Sequence, residues 1–280
     1  MNRLYIIMLR PAQWLKNLML FFPPFLSGSL FIPGVIEKGV IPFIAFCMVS
    51  SAGYIFNDLL DRERDRVHPG KCKRPIASGA VTVRTGRFIL LALLFSALLT
   101  AFCHSPVLLL FLSVYAIVSF LYSTFLKSVP VADIFCVSAG FLVRLQAGGE
   151  VFDVIVSPWL FLTVFLLSIF LSTGKRFAEM QSLGDSAADH RRSLGAYPPG
   201  FLAGTMYMTA GAVLVTYAIY AINKQRLVYS VPLCLFGLLQ YMFMVMSGKG
   251  GDPTESLLKD RMLFTVSIVW LLQVIWSIYF

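Results

Sequence analysis

Charge is what this 280-residue chain has little of. Only 13% of its residues are charged and 58% are hydrophobic, whereas soluble domains carry about 25% charged residues. A water-soluble globule of this size is excluded. Cysteine is sparse too, with five in all. Cys47, Cys103, Cys136 and Cys234 fall in apolar segments and Cys72 in a basic loop, so no disulfide framework is expected. No small-residue cleavage site follows the first apolar run, which begins at Trp14. That run is therefore read as a spanning helix and not as a signal peptide.

What is present is a series of long apolar segments, each near the ~20 residues that cross a bilayer. Nine are expected, at 14–32, 40–57, 87–104, 106–124, 131–149, 155–173, 200–221, 228–246 and 262–280. The expected fold class is all-α: a polytopic membrane protein, a bundle of nine transmembrane helices forming a single domain over residues 1–280. The turn His104-Ser105-Pro106 makes a tight hairpin of the third and fourth segments. Pro23-Pro24 is expected to kink or break the first.

Lys and Arg set the orientation. With the N-terminus inside, nineteen of the 23 lie on cytoplasmic connections; Lys38, Lys224 and Arg226 fall outside and Arg144 lies within the fifth segment. The expectation is N-terminus in and C-terminus out. Nearly all acidic residues follow the same side, which no insertion rule demands, so the chemistry-capable groups gather on one face. That suits an enzyme or binder at the cytoplasmic interface and argues against a pore. The basic excess is read as topology and phosphate binding beside membrane lipids, with no nucleic-acid partner expected.

The richest stretch is Asn57-Asp58-Leu59-Leu60-Asp61-Arg62-Glu63-Arg64-Asp65. On a continuing helix Asn57, Asp61 and Asp65 would share one face, with Asp58 within reach of Asp61. A carboxylate row repels itself unless a cation sits between its members. Hard oxygens with room for water and phosphate suit Mg²⁺; a solvated, charge-rich helix end is the plainer alternative. The basic loop after it carries Lys71, Lys73 and Arg74. The sixth connection begins Gly174-Lys175-Arg176-Phe177-Ala178-Glu179 and continues through Asp185, Asp189 and Arg192. Arg10-Pro11-Ala12-Gln13-Trp14-Leu15-Lys16-Asn17 looks interfacial, with cations able to hold a lipid phosphate. Asp133, Arg144 and Gln146, polar groups within a segment, are candidates for function. Asp133 and Arg144 lie eleven residues apart, ~16 Å along a helix, too far to pair; Arg144 is near the outer end, where snorkelling would account for it.

Asn57-Asp58-x-x-Asp61-x-x-x-Asp65 resembles the first aspartate-rich motif of UbiA-type membrane prenyltransferases, which have nine helices and bind an isoprenoid or sugar diphosphate with Mg²⁺. More narrowly, several stretches resemble the decaprenyl-phosphate phosphoribosyltransferase (5-phosphoribosyl-1-phosphate decaprenol synthase) branch. They are Arg10-Pro11-x-x-Trp14-x-Lys16-Asn17, Asp65-Arg66-x-His68-Pro69 with Lys73-Arg74-Pro75, Gly140-Phe141-x-x-Arg144-x-x-Ala147-Gly148-Gly149, Gly174-Lys175-Arg176-x-Ala178-Glu179 and Arg192-Ser193-Leu194. Where most of the superfamily carries a second aspartate-rich motif, this chain has Lys175-Arg176-x-x-Glu179.

The resemblance implies transfer of 5-phosphoribose from phosphoribosyl pyrophosphate to a polyprenyl phosphate at the cytoplasmic face of a bacterial membrane. By that resemblance Asn57, Asp58, Asp61 and Asp65 hold Mg²⁺. Lys175, Arg176 and Glu179 serve the donor's phosphates, and Arg10, Lys16, Asn17, Asn57, Arg66, Lys73, Arg74 and Arg192 contact substrates. The alternative enzyme is an aromatic prenyltransferase using a prenyl diphosphate, against which the missing second acidic motif counts. A lipid-phosphate transporter or binder would explain the basic face but not the carboxylate row.

Overall fold

A computed structural model describes every residue except Met1, Pro69 and 185–190. The described residues are helical and contain no strand. Among the described residues, eight helices are long and apolar enough to cross a membrane, and they match the last eight sequence segments. The helix starts follow local chemistry. Ser105 and Ser157 each accept a hydrogen bond from the backbone N–H three residues on, and a proline takes the first helical position. That pairing satisfies one orphan donor and removes another.

The first predicted segment takes another form. It is a 3-10 helix, Pro11–Phe21, followed by a short α-helix, Phe22–Ser27. Pro23 and Pro24 lie in the first turn of that α-helix, where a missing N–H costs nothing. The change of helix type therefore comes before the prolines, and Gly28 turns the chain at φ 86°.

Two compact units divide the chain. Unit 1 comprises Met1–Phe25, Ser29–Val129 and Val143–Ile155. Its centre is the helix Val35–Leu60, which packs on the helix Val83–His104, on the helix Pro106–Thr124 and on the 3-10 helix. Unit 2 comprises Leu26–Gly28, Pro130–Leu142 and Val156–Phe280. In it the helix Pro158–Leu183 packs along Phe201–Ile222, and Val231–Met246 packs along Arg261–Tyr279.

Within unit 1 a polar seam runs through the apolar packing. Arg144 is only 4% exposed. Its Nε donates to Asn17 Oδ1 at 2.7 Å, its Nη2 donates to Tyr115 Oη at 2.9 Å, and its guanidinium lies 4.4 Å from the Tyr115 ring centre. Asn17 Nδ2 in turn donates to Ser50 Oγ and Cys47 Sγ. Arg144 does not snorkel: partners inside the unit satisfy it, so it has no need to reach the interface. None of the five cysteines is in a disulfide.

Candidate active site

The acidic row of unit 1 is built at a helix join. The helix Val35–Leu60 ends there and the short helix Arg62–Val67 begins two residues later. Asp61, at φ −89° and ψ 4°, is the joint. Helical hydrogen bonding still crosses it, from Asp61 N to Asn57 O at 2.9 Å and from Asp65 N to Asp61 O at 2.8 Å. The row is therefore bent and not one straight face.

The cations select the partners. Asp58 meets Asp65 and not Asp61, through a shared cation. Arg74 Nη1 donates to Asp58 Oδ1 at 2.9 Å and to Asp65 Oδ2 at 2.6 Å. Arg10 Nη2 adds a second bond to Asp58 Oδ1 at 2.6 Å, while its guanidinium lies 5.0 Å from the Tyr54 ring centre. Lys127 Nζ lies between Asn57 Oδ1, at 3.2 Å, and Asp61 Oδ1, at 2.6 Å. Three carboxylates are thus matched by Arg10, Arg74 and Lys127. The mutual repulsion expected of the row is relieved by cations from three distant places in the chain. Burial pushes the Asp65 carboxyl up, and the Arg74 guanidinium only partly offsets it.

In unit 2 the polar groups meet at Asp133, which is fully buried. Its Oδ2 accepts from Arg176 Nε at 2.8 Å, from Ser193 Oγ at 3.3 Å and from Arg191 Nη1 at 3.4 Å. Its Oδ1 accepts from Tyr197 Oη at 2.7 Å. Arg176 Nη1 also donates to Glu179 Oε2 at 3.0 Å. Lys175 Nζ reaches Asp252 Oδ2 at 2.7 Å, and Asp252 also caps the helix Pro253–Lys259. Burial and the Asp133 carboxylate push the Tyr197 hydroxyl up, so it remains a donor.

With this geometry in view, sequence comparison decides the lineage. The model of the UbiA prenyltransferase family matches residues 21–271. The chain belongs to that family. It is 32% identical to the decaprenyl-phosphate phosphoribosyltransferase of Mycolicibacterium smegmatis, over 97% of this chain and 91% of that protein. It is likewise 32% identical to the protein of the same name from Corynebacterium glutamicum, over 97% and 85%. A solved UbiA homolog from Archaeoglobus fulgidus, bound to GPP and Mg²⁺, has a TM-score of 0.76 at 19% identity, covering 99% of this chain and 100% of that one. That likeness shows the fold. The protein is a membrane-embedded UbiA transferase.

A UbiA chain invites a test of Mg²⁺ against the residues present. Among the described residues no three His, Cys, Asp or Glu side chains form a metal-holding group. Mg²⁺ does not require one, because it usually takes one or two carboxylates with waters and substrate phosphates. Here the hard oxygens come as pairs, Asn57 with Asp61 and Asp58 with Asp65, each pair converging on one cationic nitrogen. That donor set fits the ion.

Several expected substrate contacts of this UbiA chain have other occupations. Asn17 is fully buried and bonded within its unit, so no substrate reaches it without dismantling the seam. Arg176 is 3% exposed and held by two carboxylates. Arg66 bonds Glu63 and the Ala77 carbonyl. Lys16 is half-buried, while Lys73 and Arg192 are exposed. Asp185 and Asp189 lie outside the described residues. Lys127, read from sequence only as a topology determinant, belongs with the acidic row. Its position at the end of the hairpin helix Pro106–Thr124, near the level where the row begins, was the available signal.

Proposed function

We propose that this UbiA transferase moves 5-phosphoribose from phosphoribosyl pyrophosphate onto a polyprenyl phosphate, releasing pyrophosphate, with Mg²⁺ as cofactor. The observation that carries the reading is similarity along nearly the whole chain to relatives bearing that activity in their names. Lys175-Arg176, standing where the resemblance places acid in most of the family, counts against the second metal site of an aromatic prenyltransferase.

Asn57, Asp58, Asp61 and Asp65 would hold the metal, which when bound supplies Lewis-acid help to the departing pyrophosphate. Arg74 and Lys127 already stand against these oxygens. As the donor arrives they exchange carboxylate for phosphate oxygens and neutralise the leaving group's charge. An oxygen of the lipid phosphate attacks the anomeric carbon while the carbon–oxygen bond to pyrophosphate breaks, and pyrophosphate leaves with the electron pair. The acceptor is already anionic near neutral pH, so no strong general base is needed. The transition state resembles an oxocarbenium ion, as in other displacements at an anomeric carbon.

The test is an assay of purified protein with polyprenyl phosphate, Mg²⁺ and radiolabelled phosphoribosyl pyrophosphate. Label should pass to the lipid, stop on adding a chelator and return with excess Mg²⁺. Consumption of a prenyl diphosphate with an aromatic acceptor, and none of the sugar donor, would overturn the reading.

The reaction face is proposed to be cytoplasmic, on the Lys/Arg bias. Cys72, a partly exposed cysteine outside any disulfide on the loop beyond the acidic row, tests it. In intact cells it should react only with membrane-permeant thiol reagents. Labelling by an impermeant reagent added outside reverses the orientation.

A further inference from the structure

Lys175 and Arg176 are adjacent in sequence and unlike in setting. Arg176 is closed in by Asp133 and Glu179, and its side chain is 4% exposed. The Lys175 side chain is 37% exposed, and its ammonium meets Asp252 Oδ2 at 2.7 Å. Among the described residues that is the one carboxylate Lys175 contacts. An ammonium carries three N–H donors, and one carboxylate oxygen takes one of them. Solvent, and with it a dissolved or headgroup phosphate, therefore reaches Lys175 more readily than Arg176.

An ion pair this open to solvent adds little to stability, yet the backbone behind its acid is tightly seated. Asp252 Oδ1 accepts from Thr254 N at 3.1 Å and from Glu255 N at 3.3 Å, capping the helix Pro253–Lys259. Its other oxygen, Oδ2, is the one Lys175 meets. A Cβ on Gly251 would stand 2.5 Å from Ala178 Cβ, on the helix that carries Lys175, and one on Gly250 would stand 2.7 Å from Ser256 Oγ. Tyr241 closes the frame. Its hydroxyl lies 3.2 Å from the carbonyl oxygen of Leu171, one turn before Lys175, and 3.0 Å from that of Gly251. A Cβ on Gly174 would stand 2.8 Å from the Tyr241 ring. The carboxylate is thus fixed against the helix at the level of Lys175. A lysine stem is otherwise flexible, and holding it in advance lowers the ordering cost of a phosphate contact. Protein kinases hold a phosphate-binding lysine with a carboxylate in the same way.

We propose that Asp252 is a positioning residue that holds Lys175 for contact with a substrate phosphate, and that Lys175, not Arg176, makes that contact. The source of the phosphate rests on the phosphoribosyl-transfer reading, which offers three: the pyrophosphate of the donor, its 5-phosphate and the headgroup of the lipid acceptor.

The experiment is equilibrium binding to the full chain in detergent with Mg²⁺, using inorganic pyrophosphate, ribose 5-phosphate and farnesyl phosphate as separate probes. Wild type, Lys175→Met, Asp252→Asn and the double variant are compared, each with a melting curve. Met keeps most of the lysine stem without its charge. Asn caps a helix as well as Asp does, so Asp252→Asn removes the charge facing Lys175 and keeps the cap. Lys175→Met should weaken one probe roughly tenfold or more, the scale of a charge-assisted bond. Asp252→Asn should weaken the same probe by a smaller factor, at a melting temperature near that of wild type. The double variant should bind that probe no more weakly than Lys175→Met alone, because Asp252 acts through Lys175. The probe that weakens names the source of the phosphate. Unchanged binding of all three probes to Lys175→Met overturns the proposal. Losses that multiply in the double variant overturn it too, as does tighter binding to Asp252→Asn, which would make the carboxylate a competitor of the phosphate. Should Asp252→Asn fail to fold, Asp252→Ser, which caps but is too short to reach Lys175, takes its place. If wild type transfers no phosphoribose yet the four proteins bind as stated, the transfer reading fails and this one stands.

Discussion

Asp61→Asn is expected to cut turnover by roughly 10² to 10³-fold or more, the usual loss when a charge-stabilising group is removed. The purified variant should melt near the wild-type temperature. Asp61 suits the test better than its neighbours because its side chain is 20% exposed and has Lys127 as its ion-pair partner. Asn fills the same volume and keeps an oxygen, so the change subtracts charge and little else. Asp58 is 3% exposed and holds two arginines; removing it would strand buried cations and confound activity with stability. Near-wild-type rates for Asp61→Asn at saturating Mg²⁺ would reduce the row to a set of structural ion pairs.

Gly148→Ala is expected to destabilise the protein by roughly 3 kcal/mol, the upper range for forced overpacking. A Cβ on Gly148 would stand 2.1 Å from the Leu20 carbonyl oxygen and 2.9 Å from its carbonyl carbon. Backbone, not a pliable side chain, is what it meets. The 3-10 helix would have to lift away, and Asn17 on that helix would lose its bond to Arg144. Gly211→Ala is the control, since a Cβ there meets nothing within 4 Å and alanine favours a helix by up to about 1 kcal/mol. Thermal unfolding in detergent should separate the two. Equal melting temperatures would mean that the contact at Leu20 yields easily.

The helices were legible because their signal is local. Apolar length and a capping Ser or Asp beside Pro or at a helix start can be read within twenty residues, and eight spans appear where the sequence put them. The first segment misled because apolar length does not distinguish a 3-10 helix from an α-helix. The acidic row was legible as a motif, but its wiring was not. Lys127 joins Asp61 from 66 positions away and Arg144 joins Asn17 from 127. No periodicity encodes such pairs. Asp58 was expected beside Asp61, a neighbour by helical spacing, but Arg74 joins it instead to Asp65, seven residues on. Arg176 looked like a phosphate contact because cations beside a proposed diphosphate site invite that reading; burial against Asp133 is a tertiary fact.

One nitrogen of Arg74 donates to both Asp58 and Asp65. Two carboxylates that share a counter-ion cannot bind ligands independently. Whatever draws the guanidinium from one leaves the other under-neutralised, and by linkage the effect is equal in both directions. Ligands of opposite sign then assist each other. An anion that takes Arg74 raises the affinity of both acids for a cation, and a cation on either acid frees Arg74 for the anion. Metal and diphosphate should therefore bind with positive cooperativity, each weakly alone.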